Sequence, residues 1–154
     1  MEFLSEITML PVHIGAVLAT LAVVLYADHL GFQYFRGRRQ TLDGRLMFRL
    51  HRTVWAGLIV IMATGFIMFW PARETYLSYA PFLTKMGFVA IIVVNAFFIG
   101  KLLPLASGRP FAALTEGEKR KLLVSGAFSS IGWVGALSVA LWYLGYEWTD
   151  ILFG

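Results

Sequence analysis

Five ionisable residues lie within or at the ends of the apolar segments of this chain: His13, Asp28, His29, His51 and Lys85. Ionisable side chains are costly inside a bilayer, and they commonly mark functional sites there. His29 ends the first apolar segment and His51 begins the second, so a hairpin between the two segments places both imidazoles at one depth. His13 lies about 24 Å from His29 along the same helix, so these two histidines cannot share a ligand.

A pair of imidazoles on adjacent helices is what a six-coordinate b-type haem requires from a helical bundle. The sequence therefore predicts haem b held by His29 and His51, with Trp55 offering a flat surface to the porphyrin. Asp28 adds a carboxylate, so a non-haem metal ion held by His29, His51 and Asp28 is an alternative. In a third interpretation these residues only occupy the headgroup layer, where Asp28 pairs with an arginine of the second segment.

The elements that must position these residues are membrane-spanning helices. The chain has 154 residues, of which 58% are hydrophobic and 14% charged, and its mean hydropathy is +0.71. The absence of cysteine excludes disulfides, thiolate catalysis and iron–sulfur clusters. Apolar runs predict spans over about 9–30, 46–70, 82–105 and 120–146. We therefore expect a single transmembrane domain, an all-α four-helix up-and-down bundle in a lipid bilayer.

The basic residues orient this bundle. Eleven of the thirteen lysines and arginines lie in or beside the two loops that follow the first and third spans. The positive-inside rule then predicts that both loops face the cytoplasm and both termini the outer side, with a bacterial inner membrane as the expected location. Because the basic charge serves this orientation, the sequence gives no support to a nucleic-acid partner.

Local signals predict where two of the helices begin. Thr115 and Glu118 have the spacing of a capping box at the start of the fourth span. Asp43 is a candidate N-cap for a helix from Gly44 that Pro71 ends. Thr20, Asn95, Ser129 and Ser130 fall near mid-membrane, where we expect them to form hydrogen bonds between helices.

A resemblance to a known family rests on three short motifs. They are the histidine of Leu-Pro-Val-His13, the lysine of Phe-Leu-Thr-Lys85-Met-Gly-Phe, and an arginine-rich entry to the second span followed by Thr64-Gly65. In layout and motifs the chain resembles small four-helix membrane proteins related to HemJ-type protoporphyrinogen oxidase and the CopD-like domain. The resemblance implies haem b as cofactor and His13 and Lys85 as functional residues. The segments around His29 and His51 depart from that pattern, which suggests a sibling family.

The sequence thus predicts a haem-binding membrane protein, either a b-type cytochrome for electron transfer or a HemJ-like oxidoreductase. Its candidate cofactor-binding residues are His13, His29, His51 and Trp55, and its candidate catalytic residues are Lys85 and Asp28. Quinone or a porphyrin is the expected lipid-side reactant, entering where Tyr26, Trp55 and Trp133 offer flat surfaces. Two alternatives remain: a metal-ion or small-solute transporter acting as a homo-oligomer, or a non-catalytic subunit of a larger membrane complex.

Overall fold

Helices make up most of the described backbone of the chain. The structure, a computed structural model, describes the backbone of residues 2–153 and the side chains of residues 8–142. Its helices are α1 (Glu2–Phe35), α2 (Gly44–Phe69), α3 (Arg73–Ser78), α4 (Ala80–Gly108) and α5 (Glu116–Phe153), with a 3-10 turn at Phe111–Ala113 before α5. Within residues 2–153 there is no strand. Four of these helices are long and apolar enough to cross a membrane, which confirms the predicted all-α four-helix membrane bundle.

Both predicted helix starts are confirmed by their capping contacts. One Asp43 carboxylate oxygen accepts from the backbone N–H groups of Arg45 at 2.8 Å and of Leu46 at 3.2 Å, and α2 begins at Gly44. At the start of α5, the Glu118 carboxylate accepts from the Thr115 N–H at 2.8 Å. The Thr115 hydroxyl accepts from the Glu118 N–H at 3.3 Å. These bonds satisfy N–H groups that a helix start leaves without partners.

The four long helices form two hairpins that meet along α2 and α4. The closest pairings are α1 with α2 and α4 with α5, and α2 against α4 joins the two pairs. One end of the bundle holds the beginning of α1, the end of α2 and the beginning of α4; we call it the terminal end. The opposite end carries the arginine-rich α1–α2 loop and the loop before α5, and we call it the basic end.

Large apolar side chains cover the outside of the bundle, as a lipid environment requires. Leu18, Leu25, Phe97, Val134 and Leu141 are each more than half exposed. The interior has two buried clusters. One lies at the basic end around Leu30, Tyr34 and Leu114, and the other lies at mid-bundle around Leu58, Ile92 and Trp133.

Glycines bring neighbouring helices into close contact. A Cβ placed at Gly57 of α2 would collide with the Thr20 hydroxyl of α1. A Cβ at Gly132 of α5 would lie 2.7 Å from Ile92 Cγ1 of α4, closer than such atoms can approach. Helices in lipid associate by van der Waals packing and hydrogen bonding rather than by hydrophobic burial, so small residues at these crossings are central to the fold.

Polar residues at mid-bundle form one strong link between α4 and α5. The Asn95 amide donates to the Ser125 carbonyl at 2.9 Å, and the Ser125 hydroxyl donates to Asn95 Oδ1 at 2.8 Å. This confirms the expected interhelical role of Asn95. The expectation is wrong for Thr20 and Ser130, whose hydroxyls donate to carbonyls four residues earlier on their own helices, those of Ala16 and Gly126. A hydroxyl in a helix finds this local acceptor without help from a neighbour.

We predict that Gly57→Ala destabilises the protein, since the added methyl collides with Thr20 and pushes α1 away from α2. Overpacking of this kind costs about 1–3 kcal/mol, which a thermal unfolding curve in detergent resolves. Gly126→Ala is the matched control, because its Cβ meets nothing within 4 Å in the described structure. Equal melting temperatures for the two variants would contradict the close crossing of α1 and α2.

Candidate functional site

Three segments that are far apart in the sequence meet at the terminal end of the bundle. His13 Nδ1 of α1 lies 2.9 Å from Thr64 Oγ1 of α2. A Cβ at Gly65 would lie 3.4 Å from His13 Cε1, so the imidazole packs against bare backbone. Lys85 of α4 is within electrostatic range of the same imidazole. His13, Thr64 and Gly65 are therefore in contact and Lys85 lies within electrostatic range; we call these four residues of the resemblance motifs the His13 cluster.

The hydrogen bonds of Thr64 determine the protonation of the His13 ring. Thr64 has one hydroxyl proton. Its hydroxyl oxygen lies 2.7 Å from the Val60 carbonyl oxygen and 3.2 Å from the Ile61 carbonyl oxygen. The Ile61 carbonyl also lies beside the His13 imidazole. A threonine hydroxyl in a helix commonly donates to the carbonyl four residues earlier, so we place the proton in the 2.7 Å contact with Val60. Thr64 Oγ1 must then accept from His13 Nδ1–H. The neutral ring consequently carries its lone pair on Nε2.

That lone pair is left available by its surroundings. None of the hydrogen bonds between described side chains involves His13 Nε2. An imidazole whose Nδ1–H is held by a fixed acceptor, with Nε2 free, has the arrangement that orients metal-ligating histidines. His13 thus fits the role of a single nitrogen ligand to a metal ion.

Lys85 gives the His13 cluster a positive charge. It is partly buried, and it forms no ion pair with a carboxylate of residues 8–142. An aromatic cluster lies next to it: Phe82, one turn before Lys85, stacks on Phe69 at 5.5 Å between ring centroids, and Tyr76 lies 5.0 Å from Phe82. Lys85 therefore places a cation beside a flat apolar surface.

His51 is placed differently, near the basic end. Its ring packs against Gly100 of α4, where a Cβ would lie 2.8 Å from His51 Nε2. Trp55 Nε1–H donates to that same nitrogen at 3.2 Å. The indole N–H can only donate, so the lone pair of His51 Nε2 already has a partner. Trp55 therefore acts as the hydrogen-bond donor to His51, and binding of a metal at Nε2 requires that it move away.

His29 lies on the exposed surface of α1. Arg39 Nε donates to Gln33 Oε1 at 2.6 Å, which fixes the orientation of the Gln33 amide. The Gln33 NH₂ group then donates to His29 Nε2 at 2.8 Å. The His29 ring is thus bound to its own helix, while the His51 ring faces α4, and the structure does not bring the two together as a ligand pair.

Asp28 is exposed, yet it borders an interior cavity together with His51. Both residues line a cavity of about 60 Å³ between the four long helices, together with Asn95, Ser129 and Trp133. That volume has room for about two water molecules at the density of the liquid. Asp28 forms no ion pair with Arg49, Arg52 or any other cation in residues 8–142.

The predicted three-residue metal set of His29, His51 and Asp28 is not gathered at one place. In the part of the chain whose side chains are described, no three His, Asp or Glu residues converge closely enough to hold a metal ion. Of the flat surfaces expected to receive a reactant, Tyr26 is exposed toward the surroundings and Trp133 is buried. The Thr64-Gly65 motif was recognised from the sequence, but the bond of Thr64 to His13 was not predicted.

Comparison of the chain with protein-family models, with curated proteins and with solved structures finds no match.

We predict that Thr64→Val releases the His13 ring from a single tautomer, because valine keeps the shape of threonine but cannot accept from Nδ1–H. The measurement is the ¹⁵N spectrum of protein labelled only at histidine, in detergent near pH 8, with His13 assigned from a His13→Gln variant. Wild-type protein should show protonated Nδ1 and unprotonated Nε2 at His13. The Thr64→Val variant should show ¹⁵N signals averaged over the two tautomers of the ring.

Thr53→Val is the matched control for this experiment, since the Thr53 hydroxyl bonds only to the Arg49 carbonyl of its own helix. It should leave the His13 signals in place. A wild-type His13 already protonated at Nε2 would contradict the hydrogen-bond assignment.

Proposed function

We propose that the chain is a haem-binding integral membrane protein with one histidine ligand, His13, and that it serves electron transfer or membrane oxidoreduction. The observation that carries the proposal is that His13 lies against Thr64 and within electrostatic range of Lys85; the three residues come from three helices and from the motifs of the HemJ-type resemblance. The proposed location is a bacterial inner membrane with the basic end in the cytoplasm.

The donor chemistry of the His13 cluster fits a haem. A b-type haem needs an imidazole nitrogen for its iron, partners for two propionate carboxylates and apolar contact for its ring. His13 Nε2 supplies the nitrogen, and Thr64 holds the imidazole in the ligating tautomer. Lys85 can pair with a carboxylate, and the cluster of Phe69, Tyr76 and Phe82 offers the apolar contact.

The structure also supports access from the lipid side. Val12 and Ile14, which flank His13 on α1, are 49% and 41% exposed. The α1 surface beside the His13 cluster is therefore open. A flat, lipid-soluble reactant such as a quinone or a porphyrin can reach the site along this surface.

The residues of the site and of the interior cavity have separate parts in this function. When bound, haem supplies a one-electron iron couple. Thr64 keeps the proton on His13 Nδ1, and the packing against Gly65 restricts rotation of the ring. Asp28 and His51 line the water-sized cavity nearer the basic end, where a carboxylate oxygen of Asp28 can take up a proton and release it. We assign to Asp28 this proton exchange and no contact with the cofactor.

We predict that His13→Ala abolishes haem binding, whereas His29→Ala and His51→Ala retain it. The reason is that, among the described contacts, Nε2 of His29 and Nε2 of His51 each accept a hydrogen bond whereas Nε2 of His13 does not. The measurement is the haem content per chain of detergent-purified protein, by absorption after extraction into alkaline pyridine. Unchanged far-UV circular dichroism shows that each variant is folded. Loss of haem from the His29 or His51 variant, with full haem in His13→Ala, would move the site to the basic end.

A second prediction concerns the charge of Lys85. Lys85→Gln should weaken haem affinity by about tenfold, since a hydrogen bond to a charged group contributes about 1.5–3 kcal/mol, while the absorption maximum stays unchanged. Lys85→Arg should restore most of the affinity. Lys101→Gln is the control, because Lys101 lies at the other end of α4 beside Phe98. Equal affinities for the Lys85 and Lys101 glutamine variants would refute a role for Lys85 in binding.

The transporter alternative has one observation in its favour, the small cavity between the four helices, whose largely apolar lining includes the polar side chains of Asp28, His51, Asn95 and Ser129. Uptake of a metal ion into proteoliposomes that survives His13→Ala but fails in Asp28→Asn would favour it. The amide of Asn95, which this alternative places on the transport path, is instead engaged with Ser125 in linking α4 to α5. We therefore rank transport below haem binding.

A further inference from the structure

The basic end carries a second cavity that the proposed function does not use. It has a volume of about 240 Å³ and lies between the end of α1 with its following turn and the 3-10 turn before α5. Phe35, Arg36, Gly37 and Arg39 form one wall, and Phe111 and its neighbours form the other. It contains no carboxylate among its lining residues, so its only formal charges are those of two arginines.

Buried contacts hold both walls in place. The Tyr34 hydroxyl donates to the Arg109 carbonyl at 2.8 Å, and Phe111 meets the rings of Tyr34 and Phe35 edge-on at 5.6 and 5.2 Å. Gly37 turns the chain after α1 with a φ of +70°, a conformation that side chains rarely adopt. Tyr34 itself is only 3% exposed and belongs to the buried cluster at the basic end, so the α1 side of the cavity is anchored to the core. The cavity is therefore a built feature of the fold.

Within residues 8–142, neither arginine of this cavity has an acidic partner. The ion pairs of residues 8–142 join Arg73 to Glu74, Arg109 to Glu118, and Lys119 to Glu116. Arg36 lies over the Phe32 ring at 4.6 Å, and Arg39 uses only its Nε to bond Gln33. Both guanidinium groups thus keep terminal N–H donors free, in a geometry that suits the oxygens of a phosphate.

The position of the cavity indicates how its ligand reaches it. Phe32 and Phe35 are 51% and 44% exposed on the lipid-facing side of α1, and the arginines follow immediately at the end of that apolar surface. We propose that this cavity binds the phosphodiester headgroup of an anionic phospholipid, with acyl chains lying along the surface of α1. Basic pockets at membrane interfaces recognise such headgroups, and free phosphate shares the same chemistry but lacks the apolar contact.

The test is native mass spectrometry of the full chain in neutral detergent, titrated with phosphatidylglycerol, with phosphatidylcholine and with inorganic phosphate. Phosphatidylglycerol should bind most tightly. In Arg36→Gln/Arg39→Gln its affinity should fall by about tenfold or more, because charge-assisted hydrogen bonds are lost. Arg38→Gln/Arg45→Gln removes the same charge from exposed positions outside the cavity, and it should change the affinity by about twofold at most.

A cavity-filling variant tests the site without changing its charge. Ala112 lines the cavity, so Ala112→Phe should also weaken phosphatidylglycerol binding. Equal losses in the two arginine pairs, an unaffected Ala112→Phe variant, or equal affinity for phosphatidylcholine would each overturn the proposal. Displacement of the lipid by millimolar inorganic phosphate would overturn the assignment to a lipid and make free phosphate the ligand.

Discussion

The hydrogen bond from His13 to Thr64 is the interaction on which the candidate site depends. It joins α1 to α2, with 2.9 Å between His13 Nδ1 and Thr64 Oγ1. It also gives the imidazole N–H an acceptor, which the lipid around the helices does not provide. Because Thr64 gives its own proton to a backbone carbonyl, the bond has one direction. That direction decides which ring nitrogen is free, so a structural contact between two helices also determines the coordination chemistry.

The approach of the helices makes this bond possible. Gly57 lets α1 and α2 touch at Thr20, and Gly65 lets the His13 ring lie against the backbone of α2 two turns further along. Glycines therefore bring α1 close to α2 at mid-bundle and again at the terminal end. On the other hairpin, Gly132 and the Asn95–Ser125 bonds hold α5 against α4, which carries Lys85. Packing at the centre of the bundle thus positions all three helices of the His13 cluster.

Helix starts and the depth of residues were predictable from the sequence, because both depend on local signals. Asp43 and Thr115 act within their own turns, and depth follows from counting residues at a fixed rise along a helix. His13 and Lys85 were recognised as functional residues from short motifs around them. The hydrogen bond between His13 and Thr64 was harder to predict, since a threonine on an apolar helix more often bonds to its own backbone, and here Thr64 does both.

The rotation of a helix about its axis was not predictable from depth. His29 and His51 were expected to face each other because they share a level, yet each residue step turns a helix by about 100°. Packing of α1 places the exposed Asp28 at the edge of the interior cavity and leaves His29 away from that cavity, bonded to Gln33. The rotation of α1 about its axis depends on its packing in the bundle with α2, α4 and α5. The sequence around His29 contains no signal for that packing.

The number of histidine nitrogens bound to iron tests the central claim most directly. Pulsed electron paramagnetic resonance of the ferric protein, with ¹⁵N introduced only at histidine, counts the imidazole nitrogens coupled to the metal. The account predicts one coupled nitrogen, unchanged in His29→Ala and His51→Ala. Two coupled nitrogens, or a single one that disappears in His51→Ala, would contradict it.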